Sequence, residues 1–186
     1  MIQKLEFLHD NILRLRGIPR NICLFFAGGL AALALPPVYL IPVLLPSFVV
    51  FIWVLDGCVG GKKKKNNKRF DLYFLWESFF TGWVFGFGFF CAGLYWISLS
   101  LLVDADQWAW LMPFSIIGLG GFFAIYTGLT SLLSCLLAKP GPGRILYIAV
   151  FWVIFEWVRS WMFTGFPWNL LGTVWAFNSE IIQLAS

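Results

Sequence analysis

The residues of this chain best suited to chemistry are a glutamate and an arginine inside an apolar stretch, E-W-V-R at Glu156 to Arg159. At 3.6 residues per turn the two side chains share one face of a helix, so each can neutralise the other. Charged residues in a membrane segment face a bundle interior or a wet cavity. The pair therefore suits either of two roles: an ion pair that fixes helix register, or a site that holds a phospholipid headgroup.

A turn follows this pair directly. The sequence F-T-G-F-P-W-N at 163–169 contains Gly165, which permits positive φ, and Pro167, which cannot continue a helix. Thr164 and Trp168 lie in the same turn, and Trp168 is typical of a membrane interface. The turn stops the helix, and it could also shape a substrate entrance.

The rest of the chain offers no recognisable catalytic machinery. His9 is the only histidine, and the four cysteines, Cys23, Cys58, Cys91 and Cys135, form no C-x-x-C pair. They lie in or beside apolar segments, which indicates buried thiols rather than disulfides or a zinc site. We predict no catalytic residue, no metal and no cofactor in these 186 residues.

The amino-acid composition indicates that the chain lies in a membrane. Hydrophobic residues make up 60% of the chain, charged residues 12%, and the mean hydropathy is +0.83. A soluble domain has roughly 25% charged residues. The sequence therefore predicts an all-α, polytopic transmembrane helix bundle.

The apolar blocks divide the chain into an amphipathic segment at 1–20 and a transmembrane bundle over 21–186. The segment at 1–20 suits a helix in the headgroup region, although a soluble cap fits nearly as well. We predict spans at 22–35, 38–55, 79–103, 108–137 and 145–162, and an incomplete segment at 173–186. In the third span, Gly82 and Gly86 form a small-xxx-small pair that favours close helix packing.

The basic residues are consistent with this arrangement. If the spans alternate in direction, every Lys and Arg except Arg159 falls on one side: Lys4, Arg14, Arg16, Arg20, the cluster at 62–69, Lys139 and Arg144. Basic loops face the cytoplasm, so the N-terminus is predicted to be cytoplasmic. The net charge of +4 is then explained by topology, and we predict no nucleic-acid partner.

Two blocks carry a family resemblance. The stretches G-W-V-F-G-F-G-F-F-C-A-G-L-Y-W-I-S-L-S at 82–100 and E-W-V-R-S-W-M-F-T-G-F-P-W-N-L-L-G at 156–172 resemble the membrane part of bacterial apolipoprotein N-acyltransferases. The early A-L-P-P hairpin and the basic loop before the third span agree with this family in order. The resemblance covers nearly the whole chain, although only the two blocks are diagnostic.

The resemblance implies an inner-membrane enzyme that moves an acyl chain from a phospholipid to the N-terminal diacylglyceryl-cysteine of an apolipoprotein. In the family a nitrilase-like domain with a Glu-Lys-Cys triad performs this reaction, and that domain is missing from 1–186. We therefore expect a fragment, cut at Ser186 and inactive alone. The residues that carry over belong to a substrate-binding or scaffold set: Trp96, Glu156, Arg159, Thr164, Gly165, Pro167 and Trp168.

Two other functions remain open. The chain could be a non-catalytic membrane subunit or scaffold for a separate lipid-linked acyl- or glycosyltransferase. A transporter is less favoured, because no inverted repeat or pair of broken helices is visible in the sequence.

Overall fold

The computed structural model describes residues 2–60, 72–162 and 168–183. Within these ranges all regular elements are helical and no strand occurs. The long helices are α2 (Gly17–Ala32), α3 (Leu44–Gly60), α4 (Leu72–Ser98), α6 (Met112–Leu137) and α7 (Gly143–Trp161). The shorter helices are α1 (Ile2–Arg14), α5 (Ala105–Trp108) and α8 (Ser179–Ile182), with 3-10 turns at Ile41–Val43, Leu99–Leu102, Ala109–Leu111 and Leu171–Trp175.

The predicted all-α membrane bundle is confirmed. Among the described residues, three helical stretches are long and apolar enough to cross a membrane, Ile41–Cys58, Leu72–Leu102 and Ala105–Leu137, and Gly17–Ala32 is a shorter apolar helix. Helix α7 is less apolar because it carries Arg144, Glu156 and Arg159. The predicted count of five spans plus an incomplete segment therefore stays a prediction.

Helices α2 and α4 begin earlier than the predicted spans 22–35 and 79–103. Helix α2 begins at Gly17 because Pro19 lies in its first turn, where a helix tolerates proline. Both α2 and α4 also include a charged residue that the predicted spans left out. Arg20 of α2 and Glu77 of α4 neutralise each other, with 2.8 Å between Nη1 and Oε1. A charge that is paired across two helices does not end either of them.

Helix α4 is the centre of the bundle and packs most extensively against α6 and α2. A Cβ atom at Gly82 or Gly86 would overlap Thr127 or Ser131 of α6, so the predicted close packing of this glycine pair is confirmed. On the other side, Gly88 lies against the backbone carbonyl of Phe25 in α2. Small residues let both neighbours approach α4 closely.

An aromatic core joins α3, α4 and α7. The rings of Phe51 and Phe85 stack with their centroids 4.6 Å apart, and both side chains are fully buried. Phe48 continues this cluster to Trp152 of α7, at 5.2 Å between ring centroids. This contact fixes the middle of α7 against the bundle.

The two ends of the bundle differ in chemistry. At the basic end, where α2, α4 and α7 begin, the fully buried Arg144 forms an ion pair with Asp56 of α3. We call the opposite end, where α4 and α7 finish, the tryptophan end. It holds Trp96, Trp161 and Trp168. Glu156 and Arg159 lie in the last turns of α7, at this second end.

Candidate functional site

Glu156 connects α7 to the turn that follows it. Its Oε1 atom accepts a hydrogen bond from Trp152 Nε1 at 2.9 Å and another from the backbone N–H of Leu171 at 2.7 Å. Trp152 is one turn earlier in the same helix, whereas Leu171 lies beyond the turn. The carboxylate therefore fastens the chain at Leu171 back onto the last turns of α7.

Arg159 is placed differently. Its side chain is 3% exposed, and its Nη2 atom lies 3.6 Å from Glu156 Oε1. That separation is a charge–charge contact and is longer than a hydrogen bond, for which 2.7–3.2 Å is typical. The guanidinium carbon instead lies 5.0 Å from the ring centroid of Phe90 and 5.9 Å from that of Tyr126. The arginine is thus held mainly by aromatic rings of α4 and α6.

Two nitrogen atoms of the Arg159 guanidinium group do not use their hydrogen-bond donors within the described residues. Its Nε and Nη1 atoms are buried and have no hydrogen-bond partner among the described residues. A buried donor that is left without an acceptor costs about 1–3 kcal/mol, and more when it is charged. A hydrogen-bond acceptor, such as a ligand oxygen, would therefore be bound most favourably beside Nε and Nη1 of Arg159.

The turn at 168–171 lies against the same part of the bundle. The ring of Trp168 is 5.0 Å from that of Phe123 in α6. Asn169 has φ 45°, a left-handed conformation that asparagine adopts more readily than most residues. Its side-chain amide fills the space beside Gly93 of α4, where a Cβ atom would overlap it. The missing side chain of Gly93 therefore leaves room for that of Asn169.

The predicted site residues are only partly brought together. Glu156 and Arg159 form a charge contact, and Trp168 lies in the turn that Glu156 fastens. Trp96 is 50% exposed at the end of α4, and none of the contacts among the described residues joins it to the pair. Thr164, Gly165 and Pro167 lie outside the described residues.

Two residues of this site were missed by the sequence analysis. Trp152 is four positions before Glu156, a spacing that brings side chains together on a helix, so this contact could have been found. Asn169 follows Trp168 directly, but its contact with Gly93 joins residues far apart in sequence. Only the packing of the turn against α4 reveals it.

The arrangement is suited to binding and positioning. Within the described ranges, no group of three or more His, Cys, Asp or Glu side chains could hold a metal ion. Cys58 and Cys135 are buried, and Cys23 and Cys91 are half-buried, all with free thiols. The Glu156–Arg159 site therefore offers charge, hydrogen-bond donors and an aromatic wall rather than a cysteine nucleophile.

Comparison with known proteins agrees with this description. Residues 27–186 match the family described as "Apolipoprotein N-acyltransferase N-terminal domain". The matched region includes the third predicted span, Glu156, Arg159 and the turn. It leaves out α1 and the first turns of α2.

Named relatives give the same result. The chain is 42% identical to an apolipoprotein N-acyltransferase of Rhizobium rhizogenes over 90% of its own length and 31% of the relative's length. It is 39% identical to the enzyme of that name from Brucella suis, over 89% of this chain and 30% of the relative. The chain thus spans about a third of the length of the curated relatives it matches. It belongs to the apolipoprotein N-acyltransferase family and corresponds to that family's N-terminal domain.

Proposed function

We propose that this chain is the membrane module of an apolipoprotein N-acyltransferase. In the proposed reaction, an acyl chain passes from a phospholipid to the N-terminal diacylglyceryl-cysteine of an apolipoprotein. The phospholipid, the apolipoprotein and a nitrilase-like domain are the proposed partners. The module holds lipid at the tryptophan end of the bundle, and the nitrilase-like domain performs the chemistry.

The family match over residues 27–186 carries this proposal. The character of the site supports it, because a buried arginine and an aromatic wall suit lipid binding better than covalent catalysis. All four thiols lie in apolar helices, and none is paired with the single histidine, His9, in a contact among the described residues. We infer that residues 1–186 alone transfer no acyl chain.

The proposed location is the bacterial inner membrane, with the N-terminus in the cytoplasm. The basic end of the bundle would then face the cytoplasm, and Glu156 with Arg159 would lie towards the periplasm. Trp96 and the turn residues Thr164, Gly165, Pro167 and Trp168 are proposed to line or shape the lipid site. In the family that this chain resembles, the nitrilase-like domain lies on the outer face, so a site on this side is where the two proposed substrates would meet.

A complementation experiment tests this function. Residues 1–186 would be expressed in a bacterium depleted of its own apolipoprotein N-acyltransferase, alone or together with the part of the Rhizobium rhizogenes relative that follows the matched region. Mass spectrometry of a lipoprotein then distinguishes diacylated from triacylated N-termini. We expect triacylation only when both parts are present.

The controls are the downstream part alone and the downstream part with its nucleophilic cysteine replaced by alanine. Both should leave the lipoprotein diacylated. Triacylation by residues 1–186 alone would contradict the proposal and would direct attention to the four cysteines. A failure of both parts to work together would favour the alternative, a non-catalytic membrane subunit for a separate lipid-linked acyl- or glycosyltransferase.

A further inference from the structure

The two members of the charged pair have unequal hydrogen bonding. Oε1 of Glu156 already has two donors, Trp152 Nε1 and the N–H of Leu171. Arg159, which is 3% exposed, has two buried nitrogen atoms for which residues 2–60, 72–162 and 168–183 supply no acceptor. An ion pair whose purpose was to fix helix register would be expected to join its members by hydrogen bonds, and this one does not.

A second unpartnered donor lies beside the same turn of α4. The Nδ2 atom of Asn169 is buried and has no hydrogen-bond partner in the part of the chain that the structure describes. Asn169 rests on Gly93, and Arg159 rests on Phe90. These two α4 residues are three positions apart, about 4.5 Å along a helix axis. Donors from α7 and from the turn therefore approach one short segment of α4.

The N–H donors of the Arg159 guanidinium group favour a ligand with anionic oxygen atoms. A guanidinium presents several N–H groups in a fixed plane, which matches the oxygens of a phosphate or a carboxylate. Arg159 lies two residues before Trp161, about 3 Å along the axis, and tryptophans of this kind occupy the headgroup level of a membrane. The phosphodiester of a phospholipid is the anionic oxygen group that is abundant at this depth.

We propose that Arg159 and Asn169 form a subsite for the phosphodiester oxygens of a lipid, while Glu156 fastens the turn that carries Asn169. Nε and Nη1 of Arg159 and Nδ2 of Asn169 donate the hydrogen bonds. This assignment rests on the proposed function only in taking a membrane phospholipid as the natural source of the phosphate. It gives Glu156 and Arg159 separate tasks, one structural and one in binding.

The test uses the full chain, purified in a detergent without phosphate, and follows thermal unfolding by tryptophan fluorescence. The probes are dioctanoyl phosphatidylglycerol, dioctanoylglycerol with the same acyl chains but no phosphate, and inorganic phosphate. A ligand at about 100 times its Kd should raise the Tm of a protein of this size by roughly 5 °C or more. We expect such a rise with the phospholipid and little or none with dioctanoylglycerol.

Four variants assign the effect to residues. Arg159→Met should lose the phospholipid-dependent rise, and Asn169→Ala should reduce it. Glu156→Gln keeps an acceptor for Leu171 and should retain the rise. Arg14→Met is the matched control, because Arg14 is exposed on α1 at the other end of the bundle, and it should behave as the unaltered chain.

The two interpretations of the pair also differ in the absence of lipid. Arg159→Met alone leaves Glu156 as a buried carboxylate without a counter-charge, which destabilises the chain whatever the role of Arg159. The stability comparison therefore uses Arg159→Met combined with Glu156→Gln, which removes both charges. If Arg159 is a binding residue, this double variant should be about as stable as Glu156→Gln alone. If Arg159 fixes register, the double variant should unfold at a clearly lower temperature or fail to accumulate. That result, or a full phospholipid effect in Arg159→Met, would overturn the proposal.

The remaining probes identify the source of the phosphate. A rise with inorganic phosphate that depends on Arg159 would support an anion subsite but would make the free ion its ligand. An equal rise with dioctanoylglycerol would overturn the subsite, because the acyl chains alone would then account for binding. None of these results changes the outcome of the complementation experiment, so the subsite and the proposed function fail or succeed separately.

Discussion

At the scale of single residues, Glu156 of α7 acts as a cap for a different element, the 3-10 turn that begins at Leu171. One carboxylate oxygen accepts the N–H of Leu171, which begins the 3-10 turn Leu171–Trp175, and also the indole N–H of Trp152. Trp152 itself packs on Phe48 of α3. A chain of contacts therefore runs from the core of the bundle through Trp152 and Glu156 to the turn.

Replacement of Glu156 should separate its charge from its hydrogen bonds. Glu156→Leu leaves the donors of Trp152 and Leu171 without their acceptor, at a cost of about 1–3 kcal/mol for each buried donor. Glu156→Gln keeps an oxygen acceptor and should cost much less. The measurement is the unfolding temperature in detergent, and Glu6→Leu on the exposed surface of α1 serves as the control. Equal losses in Glu156→Leu and Glu156→Gln would show that charge rather than hydrogen bonding matters.

At the scale of helices, α4 depends on glycines that face both of its neighbours. Gly86 faces Thr127 of α6, and Gly88 faces the carbonyl of Phe25 in α2. A side chain can rotate away from an added methyl group, but a backbone carbonyl cannot move without shifting its helix. An added methyl group at Gly88 therefore meets a less yielding neighbour than one at Gly86.

Gly88→Ala should accordingly destabilise the bundle. Overpacking of a tight contact typically costs 1–3 kcal/mol, which lowers the Tm of a protein of this size by roughly 2–4 °C per kcal/mol. Gly118→Ala in α6 is the matched control, since a Cβ atom there meets nothing within 4 Å. Alanine favours a helix over glycine, so this control should be neutral or slightly stabilising. Unfolding temperatures that do not differ between the two variants would contradict the close α2–α4 contact.

The sequence was sufficient for the class of fold and for a closely packed neighbour at Gly82 and Gly86. Long apolar blocks predict membrane helices, and Gly82 with Gly86 predicts a close neighbour, because both signals are local in sequence. The starts of α2 and α4 were not predictable in this way. Arg20 and Glu77 look like charges that end a span, and only their pairing across two helices shows otherwise.

In the candidate site, too, the contacts between residues close in sequence were predictable and those between distant residues were not. The i, i+3 spacing predicted that Glu156 and Arg159 would lie close together, and they do. It could not predict that Glu156 would take its hydrogen bonds from Trp152 and Leu171. The contact between Asn169 and Gly93 depends on where the turn lies against α4, which no local pattern encodes.

At the scale of the whole molecule, the basic end and the tryptophan end are the basis of the proposed orientation in the membrane. Lys139 and Arg144 lie at the basic end, whereas Asp104 and Asp106 lie in the connection between α4 and α6 at the other. The basic residues at 62–69 follow α3 in the sequence. Positive loops face the cytoplasm. The proposed topology places 104–107 in the periplasm.

Fusions of alkaline phosphatase, which is active only outside the cytoplasm, test this topology. A fusion after Asp106 should be active, and a fusion after Lys65 should be inactive. Equal amounts of the two fusion proteins must be shown by immunoblot. An inactive Asp106 fusion together with an active Lys65 fusion would reverse the orientation.

Among the described residues, two buried ion pairs at the basic end join helices that are synthesised at different times. Arg20 of α2 meets Glu77 of α4, and Asp56 of α3 meets Arg144 of α7, so neither pair joins consecutive helices. During synthesis, Arg20 precedes Glu77 and Asp56 precedes Arg144, so each waits for the partner seen in the folded chain until α4 or α7 has emerged from the ribosome. A charge without a partner within a membrane segment is unfavourable by a few kcal/mol. The charge pairing at the basic end is thus completed only when α7 has been synthesised.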